Sequence, residues 1–143
     1  MRAALILFCV CGAALSAQTN KTFRTRLSPV PLDVAMQTTV AGVGSATAVL
    51  AGTRLTITGT FDGLRSSATT VQVHKSPVRG VRGPVVFDLT ATPGTNGTIS
   101  GSVDLTAAQV TDLEKGRLYI QLHSEKAPEG NLRGWLMPVE GKR

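Results

Sequence analysis

The 143-residue chain is basic, with 15 Lys and Arg against 9 Asp and Glu, and only 4% of its residues are aromatic. A basic surface attracts polyanions, but single-strand binders also need aromatic side chains on which bases stack, so nucleic acid is excluded as an expected partner. The two cysteines, Cys9 and Cys11, both lie in an N-terminal apolar segment. Once that segment is removed, the chain has neither disulfides nor thiolate nucleophiles nor thiolate metal ligands.

That N-terminal segment predicts export. One positive charge precedes an apolar run from Ala3 to Leu15, and the small residues Ser16 and Ala17 come before polar sequence, which is the layout of a secretory signal peptide. The run is shorter than the roughly 20 apolar residues of a membrane-spanning helix. We therefore predict removal of residues 1–17, a single domain over residues 18–143 with no stable membrane span, and a secreted or periplasmic location.

Short runs of alternating polar and apolar residues follow, separated by Gly or Pro. Such alternation is typical of half-buried antiparallel strands, and several short strands at fairly even spacing indicate a sandwich or a barrel. We predict an all-β antiparallel β-sandwich of Greek-key or barrel-like topology. The predicted strands are residues 22–27, 45–50, 54–61, 70–74, 84–89, 98–105, 117–123 and 131–137.

One short capped helix is predicted near residues 106–115. Thr106 and Gln109 have the spacing of a capping box, in which each side chain bonds the other residue's backbone N–H. Gly116 then fits the position where a positive φ ends a helix. Leu113 and the valine three residues before it form an apolar stripe that would pack the helix against the core.

Two local contacts follow from the strand assignment. The pair Asn96-Gly97 predicts a type I′ hairpin turn, in which both central residues have positive φ. Asp88 and Arg133 each interrupt an apolar strand with a charge. Such residues usually occupy the solvent face, and an ion pair between them across neighbouring strands is the alternative.

Two segments of the sequence resemble one family. The turn RGVRGPVVFDLT, residues 79–90, precedes GTISGSVDLTAAQVTDLEKGRLYIQLHSEKAPEGNLRGWL, residues 97–136. The turn GxxGPVVFDL, the capped helix and the closing HxxxxPxGxxRG stand in the order of the CHRD domain, which the chain resembles over about residues 23–136. This domain is found in chordin and in many exported bacterial proteins, and the chain looks like an exported, bacterial-type, single-domain member.

The resemblance implies an all-β domain and supplies no catalytic residue to carry over. In chordin the domain accompanies modules that bind secreted growth factors, while the bacterial members lack an established activity. We therefore expect a non-catalytic binding or structural module rather than an enzyme. Its expected partner is an unidentified extracytoplasmic protein or polysaccharide.

A metal site is the first alternative. The family pattern usually has two histidines one residue apart before the GP turn and a third before the closing motif; here these positions hold Gln72, His74 and His123. Asn131 replaces a residue that is commonly acidic. Imidazole suits zinc or copper, but sites need three or four ligands, so a carboxylate of Glu125, Glu129 or Asp88 would have to complete a weak site centred on His74 and His123. We expect instead no cofactor, and two exposed strand-end histidines bonded to loop backbone.

A polyanion-binding module is the second alternative. Lys75, Arg79 and Arg82 lie in or beside the Gly/Pro-rich turn between two predicted strands, and clustered cations attract acidic polymers. The sequence contains no G-x-S-x-G nucleophile motif. Its glycine-rich turn leads into a strand rather than into the helix that a phosphate-binding loop needs.

Overall fold

The computed structural model describes residues 19–140, so the predicted signal peptide lies outside the described residues. No helix in this range is both long enough and apolar enough to cross a membrane. The described chain contains a short 3-10 helix (Ala35–Thr38), one α-helix, α1 (Ala107–Glu114), and strands β1 (Lys21–Pro29), β2 (Val43–Ala51), β3 (Arg54–Asp62), β4 (Ala68–Lys75), β5 (Val85–Ala91), β6 (Gly97–Asp104), β7 (Leu118–Ser124), β8 (Ala127–Trp135) and β9 (Met137–Pro138).

The strands form one antiparallel sheet that closes on itself. Their order around the sheet is β2-β3-β6-β5-β4-β7-β8-β1, and β1 pairs with β2 as well as with β8. The prediction of an all-β antiparallel fold is therefore confirmed, but the sheet is a closed barrel rather than a sandwich. Closure depends on the nine-residue strand β1, whose first seven residues pair with β2 and whose last two, Ser28 and Pro29, pair with β8.

Alternation along each strand sends apolar side chains into the barrel. In β3, Leu55 and Ile57 are buried, whereas Thr56 and Thr58 between and after them are exposed. Burial of one face is the main favourable contribution to folding. Here the inward faces of the eight closing strands meet in one core, to which β5 contributes partly buried side chains. The largest fully buried side chains include Phe23, Leu27, Leu55, Ile57, Ile99, Leu113, Leu118, Ile120, Leu122, Leu132 and Leu136.

Helix α1 has the predicted capping box. The Thr106 side chain accepts a hydrogen bond from the Gln109 backbone N–H (3.2 Å), and the Gln109 side chain accepts one from the Thr106 N–H (2.9 Å). Gly116 has a φ of 68° directly after the C-cap, as predicted. Leu113 is fully buried within the barrel core, so the helix is packed against the core.

The hairpin between β5 and β6 differs from the prediction. Among the described residues, none other than glycine has a positive φ, so Asn96 does not take the type I′ conformation. The Thr92 N–H instead donates to the Thr98 carbonyl (3.0 Å), and a five-residue connection, residues 92–96, joins the two strands. Gly94, with a φ of 115°, supplies the left-handed position in this longer loop.

Candidate binding site

Four polar side chains form a row across the outer face of β5, β4, β7 and β8. Gln72 is in register with Asp88 on one side and Gln121 on the other, and Gln121 is in register with Arg133. Gln72 Nε2 donates to Asp88 Oδ1 (2.9 Å), and Arg133 Nε donates to Gln121 Oε1 (2.8 Å). Asp88 and Arg133 therefore stand at opposite ends of this polar row. The alternative of an ion pair between them is wrong because two strands separate them.

An aromatic row lies beside the polar row. The rings of His74 and Tyr119 stack with centroids 4.8 Å apart and planes 11° from parallel. Trp135 follows on β8, tilted against Tyr119 at 5.0 Å. The guanidinium carbon of Arg133 lies 5.7 Å from the Tyr119 ring centroid, within the range of a cation–π contact. The two rows thus hold Arg133 by a hydrogen bond and an aromatic face.

The β4–β5 connection, residues 76–84, which we call the basic turn, folds back over the aromatic row. The Gly83 carbonyl accepts from His74 Nδ1 (2.9 Å) and from the Tyr119 hydroxyl (3.1 Å), and the Gly83 N–H donates to the same hydroxyl (3.0 Å). A Cβ on Gly83 would lie 1.6 Å from the Lys75 carbonyl oxygen. Only glycine fits this close approach. The GP of the turn motif was the sequence signal for this role of Gly83, but neither Gly83 nor Tyr119 was predicted as a site residue.

His74 does not have the predicted exposure. It is bonded to loop backbone as expected, yet only 9% of it is exposed because the basic turn covers it. A carbonyl oxygen only accepts, so Nδ1 carries the proton and the neutral ring leaves a lone pair on Nε2. Nε2 is buried and has no hydrogen-bond partner among the described residues. Burial lowers the pKa of His74, nearby His123, Arg133 and Arg82 lower it further, and the Gly83 hydrogen bond opposes them.

This lowered pKa predicts acid sensitivity. Because the folded state disfavours His74 protonation, its contribution to stability is present above the unfolded histidine pKa of about 6.5 and is lost as the pH falls through the folded pKa. We expect the free energy of unfolding to fall as the pH is lowered below about 6.5, with a limiting slope from one proton of about 1.4 kcal/mol per pH unit. Urea titrations across this range measure the slope. His74→Gln should flatten it more than His123→Gln, which removes only one of the smaller charge effects on His74; an equal effect of the two replacements would contradict the assignment to His74.

His123 lies on the same outer face but apart from His74. It is half-buried; Nδ1 donates to the Pro128 carbonyl (2.8 Å), and Nε2 lies 3.4 Å from Gln121 Nε2. The register places Thr70, not His74, opposite His123. The polar row runs between the two histidines, which are separated by four positions, or roughly 13 Å, along the strand direction. The metal alternative therefore requires both imidazoles to reach across this polar row.

The other two family positions, Asn131 and Gln72, do not complete a set of metal ligands. Asn131 is fully buried, and its Nδ2 donates to Ser124 Oγ (2.8 Å), whereas its Oδ1 has no partner among the described residues. Gln72 is committed to Asp88. Within residues 19–140, no group of three or more His, Cys, Asp or Glu side chains is placed to hold a metal ion. The residues present do not fit the three or four ligands of a zinc site.

Zinc or copper binding centred on His74 and His123 stays a prediction that titration tests. From the separation of the two strand positions, we expect calorimetric titration with either metal to give the same heats for the wild type and for the His74→Ala/His123→Ala double variant. Elemental mass spectrometry of the purified mature protein provides the second measurement. Near-stoichiometric binding that disappears in the double variant would show that the two histidines share a metal.

The three basic residues predicted for polyanion binding have different surroundings. Lys75 Nζ lies 2.9 Å from Asp112 Oδ2 on α1, and Arg117 approaches the other oxygen of this carboxylate at 3.8 Å. Arg79 is exposed on the basic turn. Arg82 lines a cleft together with Arg133. The charge of Lys75 is thus balanced by α1, while that of Arg82 faces the cleft.

This cleft separates the basic turn from the β1–β2 loop, residues 30–42. It encloses about 410 Å³, the size of a small-ligand site, and is lined by Val30, Pro31, Met36, Gly80, Arg82, Glu129 and Arg133. Its aliphatic wall is fixed, because Val30 packs with Val40 and Ala127 in a small cluster of its own. A cleft with an aliphatic wall and two guanidinium groups suits a ligand that is partly apolar and partly anionic.

Exposed apolar side chains occur on the same two loops. Leu32 and Val34 belong to the β1–β2 loop, and Val78 and Val81 to the basic turn. Val34 is 83% exposed. Single exposed apolar residues are ordinary, but several beside one cleft are typical of an interaction surface.

The fold and the site define a small antiparallel β-barrel domain with a cleft between two loops on its outer face. The family model of the CHRD domain matches residues 23–136. The chain belongs to the CHRD domain family, as the sequence motifs predict. Membership suggests a non-enzymatic binding or structural module, and the domain is found in extracellular or secreted proteins. Comparisons with curated proteins and with solved structures found no match.

Proposed function

We propose that the protein is an exported, non-catalytic binding module that holds an extracytoplasmic partner against the cleft between the β1–β2 loop and the basic turn. The observation that carries this proposal is the combination of the cleft with the exposed apolar side chains of both its loops. Covering Val34 and Val78 would remove apolar surface from water, which stabilises a complex by about 25 cal/mol per Å² before the costs of association.

The surroundings of the cleft favour binding over catalysis. His74 and Tyr119, the titratable groups of the aromatic row, are buried beneath the basic turn. A general base or nucleophile must come within hydrogen-bond reach of the reacting atom. A ligand in the cleft would meet aliphatic side chains, two guanidinium groups and the Glu129 carboxylate. Metal binding at His74 and His123 and polyanion binding by Lys75, Arg79 and Arg82 are the alternative proposals.

Export is tested by the mass of the mature chain. We expect protein recovered from the periplasm or the medium to begin at or near Gln18, because the apolar run ends in the small residues that signal peptidases cut after. Intact-mass spectrometry of the secreted and cell-retained fractions measures this. A chain found only inside the cell with residues 1–17 attached would contradict export.

Partner binding is tested by site-specific photo-crosslinking. A photoreactive amino acid at Val34 should give a discrete adduct when the protein is exposed to the extracytoplasmic fraction of its own cells. The matched control carries the same group at Thr58, which is exposed on the outer face of β3 across the barrel. Adducts from both positions alike, or from neither, would overturn the proposed binding surface.

A further inference from the structure

We infer that the cleft recognises a carboxylate within an apolar-flanked peptide segment of the partner, and that Arg133 and Arg82 bind this carboxylate. The inference rests on the proposed function and specifies the chemistry of its ligand. It follows from three features of the cleft: a guanidinium group with free donors, an excess of positive charge, and an aliphatic rather than aromatic lining.

The first feature is the incomplete hydrogen bonding of Arg133. Its Nε is committed to Gln121, and its guanidinium carbon lies 5.7 Å from the Tyr119 ring centroid. Nη2 is buried and has no acceptor, and no carboxylate lies within 4.0 Å of the group among residues 19–140. A buried donor without a partner is costly, whereas a carboxylate accepts two parallel N–H bonds from one guanidinium. Arg133 lines the cleft, so a carboxylate there would meet a guanidinium group that has no anionic partner within the described chain.

The second feature is the balance of charge. Arg82 lines the same cleft, and burial together with the nearby charge of Arg82 lowers the pKa of Arg133. The one carboxylate in the lining, that of Glu129, forms no ion pair with either arginine in the described structure. The cleft therefore retains a positive excess that an anionic group would neutralise. Glu129 would repel the same group, so its removal should strengthen binding.

The third feature separates a peptide from other anions. The cleft wall is aliphatic, formed by Val30, Pro31 and Met36. Among the described residues no aromatic side chain lines the cleft, and Tyr119, which contacts Arg133, is 1% exposed and offers no stacking surface for a sugar. A negatively charged membrane surface would require several free cations, but Lys75 is already paired with Asp112. An acidic side chain between aliphatic neighbours matches both the cleft and its apolar loops.

The test uses the mature protein and two N-acetylated, C-amidated tripeptides, Leu-Glu-Leu and Leu-Gln-Leu. We expect Leu-Glu-Leu to shift the Arg133 Nε–H signal and the amide signals of the two loops saturably in ¹H–¹⁵N spectra. The glutamine peptide should bind at least about tenfold more weakly because it lacks the charge-assisted bonds. Equal affinities for the two peptides, or no saturable shift, would overturn the inference.

Substitutions identify the side chains that bind the peptide carboxylate. Arg133→Gln and Arg82→Ala should each weaken Leu-Glu-Leu binding about tenfold or more, and Glu129→Gln should strengthen it. Arg79→Ala, in the same turn but outside the cleft lining, is the matched control and should bind as the wild type does. If Arg133→Gln does not fold, the opposite effects of Arg82→Ala and Glu129→Gln on peptide affinity still test whether the carboxylate binds in the cleft. An unchanged affinity in both of these variants would contradict the assignment.

Two further measurements are needed. One distinguishes a peptide carboxylate from other anions, and the other distinguishes failure of the carboxylate inference from failure of the proposed function. Preferential binding of polygalacturonate or of phosphatidylglycerol vesicles at the same residues would overturn the peptide assignment. A Val34 adduct without any tripeptide binding would leave the proposed function standing and remove only the carboxylate inference. Absence of both would contradict both.

Discussion

Replacing Phe23 with alanine is expected to lower the free energy of unfolding by about 3–5 kcal/mol, the cost of removing a buried phenyl group from a packed core. Phe23 is 1% exposed and belongs to the main core cluster. It lies on β1 opposite Ala48 of β2 and Pro138 of β9. Since β1 closes the barrel, a cavity at this position weakens the contact between the first and last strands of the described chain.

Urea unfolding of the mature protein measures this effect. A fall in the transition midpoint with an unchanged denaturant slope would show a loss of stability without a change in the extent of folding. Arg24→Ala is the matched control, because Arg24 is the next residue of β1 and is exposed; it should change stability by less than about 0.5 kcal/mol. A loss below about 1 kcal/mol for Phe23→Ala would contradict the close packing of β1 against the core.

The strands were predictable because burial of one face imposes a period of two. The run Arg54–Phe61 shows this alternation in its sequence and becomes β3 with only one further residue. The pairing of strands was not predictable in the same way, because alternation within a strand does not identify its neighbours. Pro29 illustrates the limit: proline is excluded from central strands, yet here it ends β1, where it pairs with Leu132 of β8 and helps close the barrel.

The site was predicted in part. The sequence placed His74 and His123 at strand ends with loop-backbone partners. His74 donates to a loop carbonyl as expected, whereas His123 donates to the Pro128 carbonyl of β8. The burial of His74 was missed, because it depends on how the basic turn folds back rather than on the strand itself. The same long-range contact buries Tyr119, whose sequence context, LYIQLH, resembles that of any outward-facing strand residue.

The ion pairs also show that local sequence predicts a feature whose partners depend on long-range contacts. Lys75 and Arg82 belong to one short basic segment, but only Lys75 meets a carboxylate of α1, 37 residues farther along the chain, whereas Arg82 faces Arg133 across the cleft. Local charge density predicted an attraction for anions. The position of that attraction depends on which cations the fold leaves without an internal partner.

Replacing Gly83 with alanine is expected to destabilise the protein by about 2–4 kcal/mol, because three hydrogen bonds of about 0.5–1.5 kcal/mol each depend on its position. The added Cβ would lie 1.6 Å from the Lys75 carbonyl oxygen, a contact that backbone atoms relieve only by moving. Movement of Gly83 withdraws its carbonyl and N–H from His74 and Tyr119. It also displaces Arg82, so Leu-Glu-Leu binding in the cleft should weaken together with stability.

Urea unfolding and ¹H–¹⁵N spectra separate this effect from a general loss of structure. The Trp135 indole N–H, which donates to Ser76 Oγ at the start of the basic turn, should shift in Gly83→Ala, while signals from β2 and β3 on the other side of the barrel should stay in place. Arg79→Ala controls for a change elsewhere in the same turn and should leave both measurements unchanged. Wild-type stability with an unshifted Trp135 signal would show that the turn accepts a side chain at position 83. In that case the burial of His74 and the position of Arg82 would not depend on glycine at this position.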